Sequence, residues 1–145
     1  MEIGCSGTIQ HPEDDAVGNG LLYLDVFSID EFKGHQNKVT MQNWVRCIDE
    51  ALRKSGHYRT DIDFLNMLLV KLSARQEMLQ QLGLSEEQSV YNNTYGHVGE
   101  QDDIINIIEG EKHGRLNDGD LMIIFAAGVG YVWSAACVRW GPTEA

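Results

Sequence analysis

Residues 92–103 read NNTYGHVGEQDD, which places His97 between Gly96 and Val98-Gly99 and just ahead of an acidic stretch. An imidazole is the side chain that takes and returns protons near neutral pH. His97 is therefore a candidate general base. The same position would equally suit a polar loop residue bonded to nearby backbone before a helix. The three cysteines are Cys5, Cys47 and Cys137. They are widely spaced and odd in number, so they form neither a disulfide framework nor a zinc pattern. A nucleophilic thiol needs an electropositive setting such as a helix N-terminus. Cys5 lies in a polar segment, Cys47 in an amphipathic stretch and Cys137 in a strand-like run, so each reads as a structural thiol. His11, His35, His57 and His113 have no metal-ligand spacing with the cysteines or with one another, and no metal is expected. Gly128-Val129-Gly130 follows an apolar run, but it lacks the third glycine and the following helix of a dinucleotide loop.

The elements that must position these residues can be read from periodicity. LLYLDVF (21–27) is a strand candidate, and the residues around 28–38 read as a loop. Met41, Trp44, Val45, Ile48, Ala51 and Leu52 recur at helical spacing, and Gly56 closes that helix. IDFLNMLLV (62–70) is a nearly continuous apolar run, as in a strand covered on both faces. Ser73 and Gln76 have capping-box spacing and would open a helix with Met78, Leu79 and Leu82 inside, ending at Gly83. SVYNN (89–93) is a second short strand candidate. After Gly99, acids lead Ile104, Ile105, Ile107 and Ile108, and Lys112, His113 and Arg115 follow. Acid first and base last suits a helix dipole. NDGD (117–120) is a turn, and 121–128 and 131–140 are two strands too close for a crossover, hence antiparallel. The order β-α-β-α-β-α-β-β indicates an α/β fold with helices on both faces of the sheet.

The chain has 145 residues, 43% of them apolar, which is enough for one domain with a real core. Its net charge of −11 argues against nucleic acid and anionic membrane surfaces as partners. No apolar run reaches membrane-spanning length and the first residues do not read as a signal peptide. A cytoplasmic location is the expectation.

The motif DGDLMIIFAAGVGYVWSAACVRWG (118–141), with YGH (95–97) and DIDFLNMLLV…LGL (61–84), resembles the C-terminal half of the 3-oxoacyl-acyl-carrier-protein synthase III family, of the thiolase-like superfamily. The resemblance runs over about residues 18–141, leaving an irregular 1–17 segment and a 142–145 tail. It implies an α/β thiolase-fold half whose mixed sheet is of five-stranded type, with the last two strands antiparallel. It also implies an acyltransferase of fatty acid or polyketide biosynthesis, with an acyl-coenzyme A or acyl-carrier-protein thioester as substrate and no cofactor.

The family's nucleophilic cysteine belongs to the first half. The implied partner is thus a cysteine-bearing first half, or a second copy of the chain in an oligomer. The chain alone is expected to be inactive. The second half of the family supplies a histidine and an asparagine. The histidine position falls on Leu68, which can neither transfer a proton nor donate a hydrogen bond, and the asparagine position falls on His97. The glycine loop that lends an oxyanion-hole N–H falls on Gly128, Val129 and Gly130. Lys71 lies just beyond Leu68, as a pocket amine or a solvent-directed lysine. Two functions follow: acyl transfer built on His97 and the glycine loop, or a non-catalytic assembly or binding subunit that kept the fold.

Overall fold

The computed structural model describes residues 29–128 and 132–142, with side chains from residue 39 onward. The strand expected at 21–27, the 1–17 segment, Cys5 and His11 lie outside the described residues.

The first helix, α1 (Ile29–Ser55), begins ten residues before the expected start at Val39. The loop reading of 28–38 failed because those residues are polar and carry no apolar stripe. Glu, Lys and Gln are good helix formers in their own right. From residue 39 onward the expected stripe holds, with Trp44, Ile48 and Leu52 buried. Gly56 ends it at φ 75°.

Strand β1 (Phe64–Met67) is shorter than the expected 62–70 run, and all four residues are buried. Beyond Met67 the chain leaves the ladder. Helix α2 (Leu72–Leu82) follows, with Met78, Leu79 and Leu82 buried as expected. The Ser73 capping box does not form. Lys71 is the N-cap, and its carbonyl accepts from the N–H groups of Ala74 (2.9 Å) and Arg75 (3.1 Å), which puts Ser73 inside the first turn. The strand expected at 89–93 shrinks to a single parallel bridge between Leu65 and Ser89.

Helix α3 (Gln101–Lys112) is followed by β2 (Leu121–Gly128) and β3 (Val132–Arg139). Among the described residues the sheet has three strands in the order β1-β2-β3. β1 and β2 are parallel, Phe64 facing Met122. β2 and β3 are antiparallel as expected, from Leu121–Arg139 to Gly128–Val132. Asp63 fixes the start of the parallel pair: its N–H donates to the Leu121 carbonyl (3.0 Å) and its carboxylate accepts from Leu121 N–H (2.8 Å).

Period-two alternation divides the core. Leu65, Met67, Leu121, Ile123 and Phe125 share one cluster with α1 and α2 residues, and Trp44 meets the Phe125 ring at 5.3 Å. Phe64 and Met122 point the other way and pack with Leu116 and the partly buried Ile107. The layers are therefore helix, sheet, helix, with α3 the one helix on the second face among the described residues. A Cβ built on Gly110 of α3 would lie 2.9 Å from Phe64 Cζ and 3.3 Å from Leu116 Cβ. Phe64 is fully buried and has no room to retreat. Gly110→Ala is predicted to destabilise the fold by about 1–2 kcal/mol, overpacking outweighing the helix preference of alanine. A urea midpoint equal to or above the parent's would contradict this close approach.

A histidine–aspartate pair at the candidate active site

Helix α3 is turned the opposite way from what its isoleucines suggest. Its buried residues are Asp102, Asn106 and Gly110, one per turn on a single face. Ile104 and Ile108 point outward, 59% and 55% exposed. Of the four isoleucines that follow the acids, only Ile107 joins the second core cluster. The inward face is polar because β1 presents unpaired polar groups to it. Asn106 Nδ2 donates to the Met67 carbonyl (2.8 Å) and to Asn66 Oδ1 (3.3 Å), and Asn66 Nδ2 donates to the Asp103 carbonyl (3.0 Å).

Asp102 closes this contact. One carboxylate oxygen accepts from Val98 N–H at 2.9 Å. The other accepts from Leu69 N–H at 2.8 Å and lies 2.5 Å from His97 Nδ1. Burial pushes the Asp102 carboxyl up, but the Val98 and Leu69 N–H bonds and His97 outweigh it and hold it below its ordinary value. The group is therefore ionised at neutral pH and has no proton to give, so Nδ1 is the donor. Among the described residues Nε2 has no hydrogen-bond partner, and the ring is 54% exposed.

The remaining sequence candidates separate. Leu68 is partly buried against the main core cluster and offers no polar atom. Lys71 is exposed at the start of α2, the solvent-directed alternative. Gly128 ends β2, while Val129 and Gly130 lie outside the described residues. Cys47 is buried and directs its thiol to the Trp133 carbonyl (3.7 Å). Cys137 is on β3 opposite Ile123. Neither stands at a helix start. His113 caps the end of α3 beside Glu109 (3.1 Å), and His57 lies 3.6 Å from Asp61. No group of three metal-ligating side chains forms among the described residues. No helix among them is long and apolar enough to cross a membrane.

Sequence reasoning missed Asp102, taking it as dipole complement in a helix first turn. The available signal was a carboxylate five residues after a loop histidine.

The family model for the 3-oxoacyl-[acyl-carrier-protein] synthase III C terminal matches residues 52–140. The chain belongs to this family. The family's fold is present, as the sequence resemblance implied. The chain is 30% identical over 132 residues to the beta-ketoacyl-[acyl-carrier-protein] synthase III of Symbiobacterium thermophilum, covering 88% of this chain and 37% of that one. It is 32% identical over 143 residues to the Geobacillus kaustophilus synthase III, covering 97% and 43%. The solved Pseudomonas aeruginosa synthase III superposes with a TM-score of 0.74 at 17% identity, over 97% of this chain and 42% of that one. The Thermus thermophilus synthase III does so with 0.70 at 24% identity, over 81% and 36%. The chain thus spans less than half the length of these synthases.

Asp103, beside Asp102, has the opposite electrostatics. Burial, then the Asp102 charge, push its carboxyl up to about 6, and its Oδ1 is buried without a hydrogen-bond partner among the described residues. An acid whose folded pKa is raised binds its proton more tightly when folded. Its contribution is favourable below about pH 4 and is lost as pH rises from about 4 to about 6. Asp103→Asn removes that loss. The variant is expected to be more stable than the parent at pH 7.5, on the order of 1 kcal/mol because solvent screens a half-buried group. The gain should vanish at pH 4. Urea midpoints at the two pH values check this, and a gain of equal size at both would refute the electrostatic origin.

Proposed function

We propose that these residues form the second half of a synthase III-like acyltransferase, working with a cysteine on a first half that they do not contain. The observation that carries this reading is the His97–Asp102 pair, with a half-exposed ring whose Nε2 lies on the side away from the carboxylate. The acyl group would sit on that cysteine as a thioester, drawn from acyl-coenzyme A or an acyl-carrier protein. His97 Nε2 takes the proton of an incoming hydroxyl, amine or thiol as its heteroatom attacks the thioester carbonyl. The resemblance assigns the N–H that would hold the tetrahedral oxyanion to residues 128–130. The carbon–sulfur bond then breaks, and Nε2 returns the proton to the departing cysteine thiolate.

Decarboxylative condensation fits the site less well. In the resembled family a histidine and an asparagine both point at the carbonyl oxygen of a malonyl thioester. Leu68 removes one of those donors, a loss of about 3 kcal/mol, or roughly a hundredfold in rate. The non-catalytic reading rests on the same Leu68.

The partner surface is supported by the outward face of α3. Ile104 and Ile108 leave apolar side chains exposed on α3, and Tyr95 (66% exposed) and Val98 (40%) do so in the turn that carries the candidate base. A first half packed there would cover them and bring its cysteine toward His97. A second copy of the chain is the other occupant this surface would take.

Three outcomes are expected. The chain alone, given labelled acyl-coenzyme A, forms no covalent adduct on any cysteine. Co-expressed with a cognate first half, it is pulled down with it, and Ile104→Glu/Ile108→Glu weakens the association at least tenfold in titration. The assembled pair transfers acyl groups to a nucleophile panel without matching carbon dioxide release from malonyl thioester, and His97→Ala slows transfer about a hundredfold. Transfer by His97→Ala at the parent's rate would leave only the assembly role.

A further inference from the structure

Asp102 lies in the first turn of α3 but does not cap that helix. The N-cap is Glu100, and it makes no side-chain cap bond. The free N–H groups of a helix start belong to its first residues, and Asp102 accepts from none of them. Its three donors come from elsewhere: Val98 N–H and the His97 ring in the preceding turn, and Leu69 N–H just past β1. Leu69 is the residue after Leu68, where the resembled family keeps its histidine. One buried carboxylate thus ties together the two segments that carry the second half's side-chain chemistry.

The chemical type of residue 102 matters as much as its place. Three N–H donors converge on one side chain that is 4% exposed. A carboxylate has two oxygens with about four acceptor sites and no donor, so it satisfies all three. A side-chain amide has one acceptor oxygen and would turn its NH2 group against at least one of the three donors. The pocket around residue 102 is therefore built for an anion.

We infer that Asp102 is the positioning residue of this site: it holds His97 in the Nδ1–H tautomer with Nε2 aimed outward, and balances the positive charge that forms when Nε2 takes a proton. An asparagine donor in the turn has been replaced by a buried-aspartate-backed base. The inference rests on reading His97 as the base, yet its tautomer can be measured without any reaction.

The test uses the full chain labelled with 15N and long-range proton–nitrogen correlations of the His97 ring at pH 8. The expected result is a protonated Nδ1 and an unprotonated Nε2 as the major form. Asp102→Asn should shift the ring substantially toward the Nε2–H form, while dispersed amide signals report an intact fold. If that variant does not fold, the parent ring decides: a major Nε2–H form overturns the inference, and a major Nδ1–H form upholds it. In the pair assembled with its first half, Asp102→Asn should lower kcat 10- to 100-fold with KM within about twofold. Unchanged kcat would overturn the positioning role. If the tautomer is as expected but His97→Ala transfers at the parent's rate, the geometry stands and the acyltransfer reading falls, so the two failures are distinguishable.

Discussion

A helix that turns its polar side toward a sheet must find a partner for every group it buries, because each unmet donor or acceptor costs about 1–3 kcal/mol. Helix α3 meets that demand against β1 at Asp102 and Asn106, while the Asp103 Oδ1 is left unmet among the described residues. Asn106 holds the Met67 carbonyl, Asn66 holds the Asp103 carbonyl, and Asp102 takes the Leu69 N–H released where β1 leaves the ladder. Gly110 lets the far end approach the Phe64 ring closely. These contacts fix both the height and the rotation of the helix. The placement of the His97 turn and the outward direction of Ile104 and Ile108 follow from them.

The opposite face of the sheet works differently. There α1 and α2 bury Trp44, Ile48, Leu52, Met78 and Leu79 against Leu65, Ile123 and Phe125. Apolar burial is non-directional and stabilises according to area. It is compatible with several small shifts of a helix. Hydrogen bonds to defined carbonyls are compatible with very few. The molecule thus draws stability mainly from one face and positional precision mainly from the other.

This division explains what was legible in the sequence. The α1 and α2 stripes could be read because their inward residues are apolar and periodic. The β2–β3 pair could be read because two apolar runs flank a short link. The helix at 101–112 was also found, but its orientation was not. Its isoleucines suggested an inward face that Asp102, Asn106 and Gly110 in fact occupy, and periodicity weighs apolar residues without knowing what β1 offers across the gap. His97 was identified from its place in the YGH turn. Its partner was hidden because a first-turn aspartate usually serves the helix dipole. The helical 29–38 segment was missed because polar residues leave no stripe.

Leu68 has a bearing on how such a chain could change its chemistry. Its side chain is packed against the main core cluster, and the N–H of the next residue is already committed to Asp102. A histidine substituted at 68 would lift an apolar group out of that packing and bring in ring nitrogens that need partners of their own. The buried Asp102 carboxylate already accepts from three donors. A single Leu68→His change would therefore disturb the core edge and bring in ring nitrogens without partners. A working imidazole at position 68 would require coordinated changes at Leu68, His97 and Asp102.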